Sequence, residues 1–436
     1  LRKLWIAVVV GVVLVALSMV VWVFVTMPHA PSRLYAPLTA GQRALLLHVP
    51  SSAESFALIG TAGAVYERLA ANPITAGPLE SWAAQQQMPS PRLALGRADI
   101  VAWKSGKTVG YAVRPDPVRR LLLRIYQLVG AELEARWEGD TLLVDAPPEP
   151  TLDAAEIDRL LAFGAGLPAA NILVVQRESA RGAFPPLPRP VLTSVEIGVR
   201  DVALTSRAVR PADETAMVAP HQIALSRSAL LAAGFQKPPA AINDLNRLFG
   251  GKVSGLMEDG GSLALYEIDT HKLVPRPAGV IAVPPTADSA ATFNAFAGAM
   301  FPSFLSRDMS DTSHRTSHGV DIVSRQGLGY RVETARTPSD LLLAFDRSSI
   351  EAFITDDVER SATTSRWVVR IDPARLVPIL QALGNNPGFR FAAPKLARSA
   401  QDLRGWAGYL TPASRIDGTL IDNGPYLELR ASITSK

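Results

Sequence analysis

The chain has 436 residues, 48% of them apolar, which is enough for two packed domains without disulfides. It contains no cysteine, which excludes thiol nucleophiles, iron–sulfur ligation and cysteine-rich zinc sites. The pI near 9.4 rests on a formal net charge of only +4. No basic run is interleaved with aromatics as a strand-binding groove requires, so no nucleic-acid partner is expected.

In chain order, the first element expected is a helix over Leu4–Met27, a stretch with no charge and no proline. At a rise of ~1.5 Å per residue it would be about 36 Å long, sufficient to cross a bilayer core. Trp5 and Trp22 lie near its ends, and Arg2 and Lys3 precede it. Arginine greatly outnumbers lysine and alanine is abundant, as in a GC-rich bacterial genome, so the positive-inside rule places the N-terminus in the cytoplasm and the bulk of the chain in the periplasm. A cleaved signal peptide is the alternative, but its apolar region would be shorter and followed by small residues. On the expected anchor, Ala7, Gly11 and Ser18 share a face that Trp22 continues, a surface suited to close packing by another membrane helix.

Residues 28–43 read as a proline-containing linker, followed by lobes over 44–236 and 237–436. Ala44–Val49 reads as a buried strand. Ala98–Trp103 and Thr108–Val113 flank a K-S-G-K turn, and Glu132–Trp137 and Thr141–Asp145 flank E-G-D, so two hairpins are expected. Asp153–Phe163 has helical spacing. Asn171–Gln176 and Thr193–Thr205 read as strands either side of a proline-rich loop. In the second lobe, Leu263–Ile268, Gly279–Val283, Val320–Ser324, Gly329–Thr334, Leu341–Phe345 and Tyr426–Ile433 read as strands. Asp288–Met300 and Ser348–Ile354 read as helices. The class expected is α+β: one N-terminal transmembrane helix, then a two-lobed, largely antiparallel-sheet region with packed helices.

One heptad is written almost twice, V-R-P-D-P-V-R at Val113–Arg119 and V-R-I-D-P-A-R at Val369–Arg375. Each follows a strand-like run and precedes an apolar-periodic stretch. Asp116 and Asp372 are placed to cap helices, with proline at the first helical position. Leu121, Leu122, Ile125, Leu128 and Val129 would form the buried face of the first helix, and Leu376, Val377, Leu380 and Leu383 that of the second. Pro378 should bend the second. A second pair, Ala224–Ala232 and Ala344–Ala352, also reads as strand, cap and helix. The functional alternative makes Asp116 and Asp372 paired carboxylates in a cleft.

Chemistry-bearing motifs are sparse. His314 and His318, with Asp311 and Asp321, have a spacing that binds zinc on a helix, but the Ser-, Thr- and Gly-rich context reads as a solvated loop. Lys104, Ser105 and Lys107 fit a turn better than a Ser–Lys hydrolase. Asn243–Arg247 reads as polar helix surface. No phosphate loop, dinucleotide fingerprint or nucleophile elbow is present, so no cofactor, metal or catalytic residue is assigned.

The stretches P-S-S-A-E-S-F-A at Pro50–Ala57, L-L-L-A-F-D-R-S at Leu341–Ser348, R-W-V-V-R-I-D-P at Arg366–Pro373 and I-D-G-T-L at Ile416–Leu420 carry a resemblance of layout. The chain resembles uncharacterised bacterial single-span proteins with a large α+β periplasmic region. The function expected is that of a non-enzymatic, single-pass subunit whose outer region binds or braces proteins of a larger membrane complex, for instance a respiratory or photosynthetic one. Its partners would be other membrane-protein subunits and, through residues 4–27, the lipid bilayer. The alternative is a periplasmic ligand-binding protein or envelope hydrolase using an inter-lobe groove.

Overall fold

The computed structural model describes residues 38–85, 96–106, 108–128, 135–146, 149–177, 187–212, 220–236, 260–271, 276–285, 311–327, 330–387 and 410–436. The chain clusters into two compact units, Leu1–Pro211 and Ala212–Lys436.

The first unit opens on a helix where a strand was expected. Thr39 and Gln42 form a reciprocal capping box: the Gln42 amide donates to Thr39 Oγ1 (3.2 Å) and the Thr39 amide to Gln42 Oε1 (3.1 Å). That cap starts α1 (Ala40–Leu46), which buries Leu45 and Leu46. The strands follow: β1 (Ser55–Ile59), β2 (Asp99–Ser105), β3 (Thr108–Arg114), β4 (Ala135–Glu138), β5 (Thr141–Val144), β6 (Ile172–Gln176), β7 (Val191–Ile197) and β8 (Asp201–Val209). They form one antiparallel sheet in the order β8-β7-β6-β1-β2-β3-β5-β4. Gly106 and Gly139 take positive φ at the two expected hairpin turns. Thr193–Thr205 is not one strand, because Gly198–Arg200 turns the chain between β7 and β8 and the Gly198 amide donates to Asp201 O. The helices are α2 (Ala62–Ala71), α3 (Pro73–Gln85), α4 (Pro117–Leu128) and α5 (Ala154–Phe163). The last falls where the helical spacing places it and is capped by Asp153.

The second unit is also antiparallel. Its strands are β9 (His221–Ser226), β10 (Leu231–Phe235), β11 (Gly261–Asp269), β12 (Arg276–Val283), β13 (Asp311–Ser317), β14 (Val320–Gly327), β15 (Tyr330–Arg336), β16 (Leu341–Ala344), β17 (Val358–Thr363), β18 (Trp367–Ile371), β19 (Ala413–Asn423) and β20 (Tyr426–Ser435). The sheet order is β20-β19-β18-β10-β11-β12-β16-β15-β14-β13. A separate ribbon pairs β9 with β17. Helices α6 (Ser349–Thr355) and α7 (Pro373–Asn385) complete the unit. Ile223 and Leu225 of the ribbon, Ile350 and Phe353 of α6, and Ala264, Ala282 and Leu342 of the sheet share one buried core.

The expected class is corrected. The architecture is mostly antiparallel sheet, and no helix among the described residues is long and apolar enough to cross a membrane. Leu4–Met27, with Ala7, Gly11, Ser18 and Trp22, lies outside the described residues, as do Asp288–Met300 and Asn243–Arg247. One stretch expected to enter a helix is instead sheet. Ala224–Ala232 leaves β9, bends at Arg227–Ala229 and enters β10. Leu231 and Ala232 are paired on both sides and held extended by neighbouring strands, which overrides local propensity.

The two units share connectivity. In each, a central five-residue strand (β1 or β10) is paired along its whole length on both sides. A following hairpin (β2–β3 or β11–β12) lies to one side, and three later strands (β6-β7-β8 or β18-β19-β20) lie to the other. The heptads do not mark this repetition, since one follows β3 and the other β18. They are one local device at two non-equivalent places.

At the first copy, the Val118 and Arg119 amides donate to Asp116 Oδ1 (3.1 and 3.0 Å), and the Arg119 guanidinium folds back onto Asp116 Oδ2. Arg119 is only 4% exposed and lies against Gly96, whose positive φ and lack of a side chain leave room for the guanidinium. Burial pushes the Asp116 carboxyl up, but the Arg119 amide and guanidinium outweigh it and hold it below the usual range. At the second copy, Asp372 accepts only from the Arg375 amide (3.3 Å). The Arg375 guanidinium reaches away, to the carbonyls of Ser228 and Tyr266. Helix α7 buries Val377 and Leu380 as expected and continues through Pro378.

Two identical substitutions should therefore differ. Asp372→Asn keeps a cap oxygen and should be nearly neutral. Asp116→Asn leaves a buried guanidinium without its carboxylate and should cost about 1.5–3 kcal/mol in denaturant titrations. The folded-state value of Asp116 lies below its unfolded one. Its stabilisation is thus complete above roughly pH 4 and is lost as pH falls through the folded value. The gap between wild type and Asp116→Asn should close in strong acid; a gap independent of pH would contradict the ion pair.

Candidate interaction surface

The Asp116–Arg119 clamp fixes the start of α4, and a second set of contacts fixes its roll. Arg120, Arg124 and Gln127 recur at spacings of four and three, so they share one helix face. All three meet the β4–β5 hairpin. Arg120 pairs with Asp140. Arg124 Nη2 donates to Gly139 O at 3.4 Å, and its guanidinium lies 5.1 Å from the Trp137 ring centre. Gln127 Nε2 donates to Ala135 O (3.2 Å), and Gln127 Oε1 accepts from Trp137 Nε1 (2.6 Å).

With the polar row turned to the hairpin, the adjacent row faces outward. Pro117, Leu121 and Ile125 lie four residues apart and are all exposed, Leu121 at 61% and Ile125 at 47%. The apolar spacing predicts a buried face containing Leu121 and Ile125; the structure reverses this for both residues. The helix is amphipathic as expected, and its polar face is secured to the fold; the side chains of Leu122 and Leu128, and Val129 as a whole, lie outside the described residues.

The other polar clusters are taken up by the fold. In the second unit the twin junctions meet around α6. The Ser226 hydroxyl donates to Asp356 Oδ2 and accepts from the Ala229 amide (3.2 Å), while the Ser228 amide donates to Asp356 (3.1 Å). At the other end of α6, Asp346 Oδ1 accepts from the Ser348 and Ser349 amides (both 2.8 Å), and Asp346 Oδ2 from the Gly279 amide (3.2 Å). Burial raises the Asp356 carboxyl, yet these donors hold it below the usual range, which makes it a weak base. Burial pushes the nearby Tyr266 hydroxyl up to about 12, so it keeps its proton. A serine beside a weak base and a protonated phenol is a staple rather than an activated nucleophile.

The histidine stretch is a hairpin rather than the expected loop. His318 and Gly319 take positive φ at its turn, and the Thr316 hydroxyl donates to Asp321 (2.8 Å). His314 and Asp311 are three positions apart on β13 and point to opposite faces. Among the described residues, no three metal-ligating side chains cluster. Ser105 and Gly106 form the β2–β3 turn, where the Gly106 amide donates to Glu54 (3.1 Å). Asp116 and Asp372 each serve the start of their own helix. In the first unit an open groove of about 440 Å³ lies among Ser51, Glu156, Arg159, Leu160, Phe163, Arg177 and Pro190.

Comparison of the chain with family models, with curated proteins and with solved structures finds no match.

Two substitutions separate surface from staple. The double change Leu121→Ser, Ile125→Ser should alter unfolding free energy by no more than about 0.5 kcal/mol, because both side chains already face solvent. Ser226→Ala should cost about 1–3 kcal/mol by leaving the buried Ala229 amide without its acceptor. Equal losses in thermal melts would place Leu121 and Ile125 in a core.

Proposed function

We propose that this chain is a non-enzymatic subunit of a larger membrane assembly in the bacterial envelope, whose sheet units bind or brace other proteins of that assembly. The observation that supports the reading is the outward row of Pro117, Leu121 and Ile125 on a helix held at its start and along its polar face. A rigid helix presenting apolar side chains loses little conformational freedom when a partner covers it. Covering side chains of this size and exposure contributes roughly 1 kcal/mol each. Stable interfaces bury about 1,200–2,000 Å², more than one short helix offers, so α4 is an anchor point within a broader contact.

A second reading, a protein that binds a small ligand, is favoured by the groove beside α5. It is the weaker one. Arg177, the groove's most connected cation, already donates to Ser51 O (2.6 Å), Ala53 O (3.3 Å) and Glu156 (2.6 Å).

The test is a photo-reactive amino acid placed at residue 121 or 125 of the full chain in its native cells. The expected result is a protein–protein crosslink from each position, with none from the hairpin-facing residue 127. Crosslinks from none of the three would remove the support for this reading and leave the ligand-binding one ahead.

A further inference from the structure

The exposed row on α4 has a shape and a charge, and together they narrow what covers it. Residues 117, 121 and 125 form a ridge of the kind that packs into the groove between equivalent ridges of another helix. The helix over residues 117–128 carries three arginines and no acidic residue. Two of them are matched: Arg119 by Asp116 and Arg120 by Asp140. Arg124 adjoins the ridge and has no carboxylate partner among the described residues. It is held over Trp137, so its charge is already positioned beside the apolar row.

We infer that the α4 face docks an amphipathic helix of a partner protein, one whose own apolar row is flanked by carboxylates that meet Arg124. This rests on the protein-binding reading above. An anionic bilayer is a poorer fit. Glu138 and Asp140, in the adjoining hairpin, already pair with Arg136 and Arg120. What Arg124 offers beside Leu121 and Ile125 is therefore a point of positive charge rather than a basic plane. A point charge suits the carboxylates of a single helix better than a broad negative surface.

The experiment uses the photo-reactive residue at position 121 of the full chain in native membranes, with Arg124 as wild type, Arg124→Lys or Arg124→Glu. Mass spectrometry identifies the crosslinked peptide, and melting temperatures confirm that each variant is folded. The expected peptide has apolar residues at helical spacing and Asp or Glu within one turn of them. Arg124→Glu should lower the crosslink yield about threefold to tenfold, and Arg124→Lys should largely preserve it. A partner peptide without acidic residues, or an unchanged yield with Arg124→Glu, would overturn the charge match and leave the protein-binding reading standing. Crosslinks to lipid alone would overturn both in favour of a membrane surface. No crosslink from residue 121 would overturn the protein-binding reading itself.

Discussion

The orientation of α4 depends on one constraint, that its polar residues must meet the fold: the Arg119 guanidinium, folded back onto the carboxylate that caps its own helix, fits against Gly96. Both side chains are largely buried, and the Asp116 carboxylate serves the helix-start amides with one oxygen and the guanidinium with the other. Gly96 leaves space for the guanidinium, and any side chain there would collide with it. With the first turn fixed, Arg120, Arg124 and Gln127 come to rest on the β4–β5 hairpin. Leu121 and Ile125 are left facing solvent as a consequence. Exposing two large aliphatic side chains has a cost in water, and the contacts of Arg119 with Gly96 and of the polar row with the β4–β5 hairpin keep the fold from relieving it by rolling the helix.

The same heptad in the second unit shows that the device is not the site. Asp372 caps, but Arg375 bridges to two carbonyls, and the apolar face of α7 turns inward with Val377 and Leu380 buried. Similar local chemistry thus precedes a helix with Leu121 and Ile125 outward in one unit and a helix with Val377 and Leu380 inward in the other. The internal repetition lies at another level. It is the strand order around β1 and β10, which sequence similarity between the heptads does not register.

Much of the sheet was legible because its signals are local. Gly106 and Gly139 mark turns through positive φ, and the apolar spacing over Asp153–Phe163 marks α5. The failures were of other kinds. The capping box at Thr39 and Gln42 lies inside what composition suggests is a linker. Ala224–Ala232 has the composition of a helix, but β11 and β18 hold its last two residues extended from either side. The candidate surface was half legible: the period of α4 revealed an amphipathic helix, but its roll depends on Gly96, Trp137 and Asp140. Those contacts are long-range in sequence, and no periodicity encodes them.

The central claim is that the outward row of α4 is covered in the working assembly. Hydroxyl-radical footprinting reads this directly, because side-chain oxidation follows solvent access. Leu121 and Ile125 should oxidise readily in the purified chain and be protected in native membranes, while exposed Val199 reacts equally in both. Equal oxidation of Leu121 and Ile125 in the two samples would contradict the account.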